Sequence, residues 1–417
     1  MVDPEVRPSR ERLSRPTVWL LAVVCGSAVA NIYYAQPLLP VLSRALGVSE
    51  AAGGLVVTAS QVGYALSLAL LVPLGDVRER RGLVSLLLGL TAVALLGAAA
   101  SPSLGPLLAA IGVVGVTSAV AQIVVPMAAS LAGDHERGSV VGTVMSGLLI
   151  GIMIARVVAG LLAQIGGWQL VFVVAAVLMA VLAVVLRLVL RRVPAPERTP
   201  YPRLLRSVAH LVRTESLLRR RMGLAAAGMA AFTILWTASS FLLANPPYGY
   251  RPAAIGLFGL AGIAGAGAAV VAGRLADQGR GRQVGTAGVL LLLLSWGILA
   301  IAGVGGAVGV TALIVGIMAV NLAQQSLLIS HQSAIYQRAP HARSRVTTAL
   351  MVASFLGSAL ASAVTAALYP VVGWLGVCGL GAVVALAGIG IWVLELRRPS
   401  PSDPLPAAET PIPQLES

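Results

Sequence analysis

Twelve apolar stretches of about twenty residues, parted by brief turns and one longer connector, leave this chain of 417 residues very little choice of architecture. At about 1.5 Å of rise per residue each can cross a hydrocarbon core of about 30 Å as a helix. They run over 17–39, 52–74, 83–100, 105–131, 140–165 and 168–190, then over 222–243, 253–275, 284–303, 307–331, 346–369 and 374–394. Charged residues make up 11% of the chain and hydrophobic ones 58%, whereas a soluble domain is about a quarter charged. A soluble globule is therefore excluded, and lipid must be the solvent.

Orientation follows from the arginines, since the chain contains no lysine. With a cytoplasmic amino terminus, 26 of the 29 basic residues fall on the inner face, Arg44 and Arg251 fall outside, and Arg156 lies within a span. The reverse topology would invert the positive-inside bias. Ten of these arginines crowd between Arg187 and Arg221, where Leu204, Leu205, Val208, Leu211 and Val212 recur at helical spacing. That segment reads as a connector helix on an anionic inner leaflet. The expected organisation is a cytoplasmic leader (1–16), a first six-helix bundle (17–190), a basic connector (191–221), a second bundle (222–396) and a disordered cytoplasmic tail (397–417). The leader and Ala28-Val29-Ala30 imitate a signal peptide, but cleavage there would destroy the first of an even set of helices. The arginine-rich, lysine-free composition fits a bacterial inner membrane. The basic loops lack interleaved aromatics, so no nucleic-acid partner is expected. Cys25 and Cys378 lie far apart in apolar runs and suggest neither a disulfide nor a metal site.

The halves repeat. Arg137 precedes Trp168 by 31 residues and Arg343 precedes Trp374 by 31, and Ala35-Gln36-Pro37 echoes Ala244-Asn245-Pro246. Two parallel six-helix halves imply a pseudo-two-fold axis along the membrane normal, with a site between them. The turn Gly75-Asp76-Val77-Arg78-Glu79-Arg80-Arg81 resembles the signature loop of the major facilitator superfamily, and Gly273 to Arg282 is a closer copy in the second half. In the first copy Val72 stands where the leading glycine belongs and Val77 where a basic residue is usual. The resemblance implies an all-α membrane fold of twelve helices in two pseudo-symmetric bundles, with the first, fourth, seventh and tenth spans around a cavity. A charge latch explains the loop: an acid at a helix end pairs with arginines in one state and frees them in another. Asp76, Arg80, Arg81, Asp277, Arg280 and Arg282 are its candidates, although these arginines would also serve simply to set topology.

Arg156 is the sharpest single residue, about 15 Å from the outer end of its span. A central arginine costs about 2.5 to 3.5 kcal/mol to insert, so it needs a partner or a watery cavity. It reads either as an anchor for an anionic or strongly hydrogen-bonding solute, or as a structural arginine bonded to helix carbonyls. The repeat places Ser362 at its counterpart, so the charge is asymmetric. Family exporters often carry Gly-Pro where this chain has Ala155-Arg156, and many proton-coupled members carry an arginine where it has Ile111. Other polar groups share helix faces: Asn31 with Tyr34, Gln61 with Tyr64, Ser118 with Gln122, Trp236 with Ser239 and Ser240, and Asn321 with Gln324 and Gln325. Each reads as cavity lining or as interhelical glue, whereas Ser354, Ser358 and Ser362 read as a small-residue packing stripe. No acid lies in mid-span, and His331, near the inner end of the tenth span, reads as interfacial packing.

The expected function is secondary transport of a small organic solute by alternating access, with export favoured over uptake or facilitated diffusion of an organic anion. A non-transporting receptor or intramembrane enzyme is the remote rival, and embedded acids, metal ligands or a nucleophile-base pair to support an enzyme are missing. Neither cofactor nor metal is expected, and the chain should act as a monomer.

Overall fold

The structure is a computed structural model that describes residues 13–133, 136–193, 200–262, 267, 271–338 and 343–397, and every regular element among them is helical. In chain order the α-helices are α1 (Arg15–Ala30), α2 (Leu39–Ala45), α3 (Glu50–Val77), α4 (Arg80–Ala99), α5 (Leu104–Thr117), α6 (Val120–Leu131) and α7 (Arg137–Val189). They continue as α8 (Tyr201–Thr214), α9 (Ser216–Ala244), α10 (Pro252–Leu257), α11 (Gly281–Ile301), α12 (Gly306–Arg338) and α13 (Arg343–Leu396). Eight stretches are long and apolar enough to cross a membrane. Two of them, α7 and α13, each contain two crossings, because the helix turns back at Gly166-Gly167 and at Gly373. The shorter apolar helices Arg15–Ala30 and Pro252–Gly262 fall within the remaining two expected spans, so the described helices are consistent with twelve crossings.

The repeat is visible in those turns. Gly167 (φ 76°) and Gly373 (φ 63°) both adopt left-handed backbone, and their separation of 206 residues is the offset that aligns Trp168 with Trp374. Such a φ costs an L-residue with a side chain roughly 1–2 kcal/mol, which explains a glycine in both copies. Helix starts are locally specified. Ser49 accepts from the Ala52 N–H to cap α3, and Glu79 accepts from the Arg81 and Gly82 N–H groups to cap α4. Large apolar side chains such as Val93, Ile165, Leu188, Val304, Leu360 and Val371 stand exposed around the bundle, the inverse of a soluble surface and the arrangement lipid requires.

Two expectations need correction. The first span is not one continuous helix: α1 stops at Ala30, a turn follows, a 3₁₀ turn covers Gln36–Leu38, and α2 resumes at Leu39. Pro37 and Pro40 lack the N–H that would continue the ladder. The connector helix α8 does form, but its apolar side is not free for a leaflet. Leu204 is buried, and Val208, Leu211 and Val212 pack against Leu218, Ala225, Val346, Ala349 and Leu350 of α9 and α13. Arg203, Arg206 and Arg213 remain exposed, and the Tyr201 hydroxyl donates to the Leu70 carbonyl of α3 at 2.6 Å. The helix therefore straps α3 to the second half.

The two halves meet along α3 against the first part of α13, and along the first part of α7 against α10. A methyl at Gly54 would collide with Ala366, one at Gly160 with the Pro252 carbonyl, and one at Gly256 with the Arg156 carbonyl. At mid-depth the rings of Tyr64 and Phe355 lie 4.4 Å apart. At the end opposite the connector Asn245 donates to Glu50 at 2.9 Å. Among the described residues, these contacts between transmembrane helices of opposite halves run from that far face to mid-depth, and the connector side is bridged by α8.

Candidate functional site

Arg156 sits where the halves touch. It is 2% exposed, and its guanidinium carbon lies 3.9 Å from the Trp236 ring centroid, 4.9 Å from that of Tyr33 and 5.5 Å from that of Phe232. Trp236 and Phe232 are on α9, so an arginine of the first half is stacked on aromatics of the second. Nε donates to Gln36 Oε1 at 2.9 Å and Nη1 to the Ile152 carbonyl at 3.3 Å. The helix-carbonyl reading thus accounts for only one of the three nitrogens. Nη2 has no protein partner, and neither does Gln36 Nε2, on the amide that Nε already holds. Because Nε and Nη2 donate along one edge of the planar guanidinium, these two unpaired donors are neighbours. The Trp236 indole N–H is also unpaired. Buried donors without acceptors are costly, about 1–3 kcal/mol each, and among the described residues Arg156 has no carboxylate partner. The arrangement suits an acceptor-rich or anionic group.

Sequence reasoning found Arg156 and Trp236, and it missed Tyr33, Gln36 and Phe232. The signal for Gln36 was the Ala-Gln-Pro and Ala-Asn-Pro echo, since Asn245 at the equivalent place also makes a long-range hydrogen bond. The break after Ala30 separates Asn31 from Tyr34: Asn31 donates to Met179 Sδ at 3.3 Å within the first half, while Tyr34 lines a groove facing away from the seam. That groove, about 350 Å³ between α1 and both parts of α7, is bordered by exposed Trp19, Ile150 and Ile154 and opens toward the lipid-facing surface. Gln61 is fully buried in α3 with both amide atoms unpaired, and Gln122 is half-buried in α6. Asn321 donates to the Ile317 carbonyl at 2.8 Å, Gln324 points to Met229 Sδ at 3.9 Å, and Gln325 is half-buried beside them on α12. The serine stripe packs as expected, with Ser358 against Thr233 at 2.5 Å and Ser362 against the Gly54 carbonyl at 3.4 Å.

The first signature loop forms a compact charge cluster at the connector face. Arg80 donates to the Gly75 carbonyl at 2.9 Å, pairs with Asp76 at 3.1 Å and reaches Ser130 of α6 at 3.5 Å. Arg81 donates to the carbonyls of Leu190 at 3.1 Å and Arg187 at 3.4 Å. Glu79, absent from the expected latch, receives three backbone N–H bonds, from Arg81, Gly82 and Val193. Burial pushes its carboxyl up, but those bonds and the Arg81 charge outweigh it and hold the group below the usual carboxylate range. These contacts all stay within the first half. In the second loop Arg282 donates to the Leu396 carbonyl at 3.0 Å and Arg280 is exposed, whereas the Asp277 side chain lies outside the described residues.

Known proteins agree with this picture. The chain is 45% identical to the uncharacterized transporter YgaY of Escherichia coli O157:H7 over 386 residues, covering 93% of this chain and 97% of that one. It is 35% identical to the Streptomyces coelicolor transporter SCO4007, covering 91% and 87%. Its fold matches the nucleoside transporter NupG (D323A mutant) with a TM-score of 0.71 at 13% identity, covering 91% of this chain and 99% of that one. A bacterial homologue of the human lysosomal transporter Spinster, in an inward-facing and unoccupied conformation, matches with a TM-score of 0.66 at 16% identity, covering 92% and 96%. The Major Facilitator Superfamily profile matches residues 19–331, and with two signature loops, a repeated half and a polar seam between the halves, this chain belongs to that superfamily of membrane transporters.

Proposed function

We propose that the chain is an alternating-access secondary transporter whose solute binds at the Arg156 seam through a carboxylate or similarly acceptor-rich group. The observation that carries this reading is the unpaired edge formed by Arg156 Nη2 and Gln36 Nε2, in a buried site without a protein counter-ion. Trp236 and Phe232 supply an apolar wall from the second half, and Gln61, Gln122, Asn321, Gln324 and Gln325 provide further polar lining. Asn31 and Tyr34 belong to the same span as Gln36 but lie against Met179 and the lipid-facing groove rather than against Arg156. The connector face is cytoplasmic, as the arginine bias requires. The state described is then closed toward the outside, because the named helix contacts between halves run from mid-depth to the far face. The loops around Asp76, Arg80 and Arg81 and around Asp277, Arg280 and Arg282 gate the inner face.

Export is slightly favoured, on the general resemblance to efflux members of the family, although Ala155-Arg156 stands in the fifth span where exporters often carry Gly-Pro. A second reading, uptake or facilitated diffusion of an organic anion, is favoured by the lack of any mid-span acid. Flux into proteoliposomes of a panel of organic anions and cationic drugs, with and without a pH gradient, separates the two. An anion should move, should lose most of its flux in Arg156→Ala and should retain part of it in Arg156→Lys. Selective movement of cationic drugs, or equal flux in all three proteins, would remove Arg156 from the site.

A further inference from the structure

Among the described residues the chain buries three arginines, Arg80, Arg156 and Arg221. Two of them bring their own anion: Arg80 pairs with Asp76, and Arg221, near the start of α9, pairs with Glu395 and lies against the Trp392 ring at 5.0 Å. Arg156 is the exception, and its surroundings suit one kind of charge only.

Aromatic ring faces can seat an ammonium group, but at Arg156 they are taken. The guanidinium lies over Trp236, Tyr33 and Phe232, at 3.9, 4.9 and 5.5 Å from their centroids. The atoms left open beside it are donors. Gln36 Oε1 accepts from Arg156 Nε, so the open atom of that amide is its NH2. Arg156 Nη2 and the Trp236 indole N–H are open as well, and neither can accept a hydrogen bond. Further unpaired groups, Gln61 on α3 and Thr237 on α9, are neutral. No acid falls in the middle of any span, and Glu50 at the far face is engaged by Asn245. A carboxylate entering the seam thus gains a cation and donors. An ammonium entering beside it meets like charge and loses its water without an anion to replace it.

We infer that the solute is an acid that carries no amine: an organic monocarboxylate with an apolar or aromatic body, distinguished from the amino acid of the same skeleton by this donor-only lining. The three rings bound the site with carbon surface, which suits such a body. Gln36 is the specificity-determining residue. Its neutral amide leaves the Arg156 charge uncompensated, whereas a carboxylate at that place would pair with Nε and leave an incoming acid no cation to bind. The inference rests on solute binding at Arg156 and narrows the class of solute.

The test is calorimetric titration of the purified full-length protein in lipid nanodiscs at neutral pH. Its probes are 4-phenylbutyrate, homophenylalanine and 3-phenylpropylamine, which differ only in the carboxylate and the ammonium they carry. The acid should bind about a hundredfold more tightly than the amino acid, as expected for a buried ammonium without a partner, and the amine should not bind. Arg156→Met should lose the acid. Gln36→Glu should lose the preference for the acid, while Gln36→Met, uncharged, should bind more weakly and keep it. An acid whose binding needs Arg156 but whose advantage over homophenylalanine is less than about tenfold overturns this inference and leaves the Arg156 site standing. So does a Gln36→Glu protein with the wild-type preference. If Gln36→Glu does not fold, the three wild-type titrations still decide. An acid that does not bind, or that binds Arg156→Met equally well, overturns the Arg156 site itself and this inference with it.

Discussion

Among the described residues Arg80, Arg156 and Arg221 are buried, and the surroundings of the last two differ in kind. Arg221 has a carboxylate, an imidazole and a hydroxyl around it, all from one half of the molecule. Arg156 has aromatic rings from both halves, one glutamine, one carbonyl and no acid among the described residues. A buried cation with its anion present has its charge balanced within the protein, and removing either partner strands the other. One held only by ring faces and neutral oxygens still has charge to offer, which is why we propose that the solute binds there.

Truncation should separate the two most sharply. Arg221→Met leaves Glu395 buried without its cation and should lower folding stability by roughly 3 kcal/mol, read as a fall in the thermal unfolding temperature in detergent. Arg221→Met/Glu395→Leu should recover most of that loss. Arg156→Met strands no buried anion and should cost less than Arg221→Met, about 2 kcal/mol of lost cation–π contact. Solute flux should nevertheless fall about a hundredfold, as expected for losing charge-assisted bonds of about 1.5–3 kcal/mol. The reverse outcome, an unstable Arg156→Met with normal flux and a stable Arg221→Met, would collapse the distinction.

A smaller effect sharpens it. The Arg156 stack on Trp236 joins the halves, so Trp236→Leu should cost about 2 kcal/mol of desolvated cation–π contact and make the far face easier to open, measured as faster labelling of a cysteine placed at Ser362. Trp392→Leu removes a comparable contact from Arg221 inside one half and should leave that labelling rate unchanged. Smallest is the pH effect of Glu79. Its folded carboxyl is held below the ordinary value, so its stabilisation is fully present above the unfolded value and is lost as pH falls through the folded one. The difference in unfolding temperature between wild type and Glu79→Gln should therefore be present at neutral pH and vanish in acid below the usual carboxylate range.

The gross architecture was legible because lipid allows few solutions: span length, arginine bias and the repeated Arg-to-Trp spacing were enough for twelve helices in two halves. The interior was legible where a single residue violates the apolar rule, as Arg156 does. It was obscure where helical periodicity was extended across a proline break, so that Tyr34 was grouped with the seam and Tyr33, which lies against Arg156, was passed over. Arg221 was misread for a related reason. Ten neighbouring arginines look alike in sequence, and only the early start of α9 shows that the last of them faces Glu395. The connector helix shows the same limit: its amphipathic spacing was readable, but not that protein would cover its apolar side.

The account's central claim is that the halves must part on the face opposite the connector for solute to pass Arg156. The most direct test introduces Glu50→Cys and Asn245→Cys, at the positions whose side chains are hydrogen-bonded across that face at 2.9 Å, and follows proteoliposome flux before and after oxidation. The oxidised pair should abolish flux and a reductant should restore it. Undiminished flux with the cross-link fully formed would contradict the account.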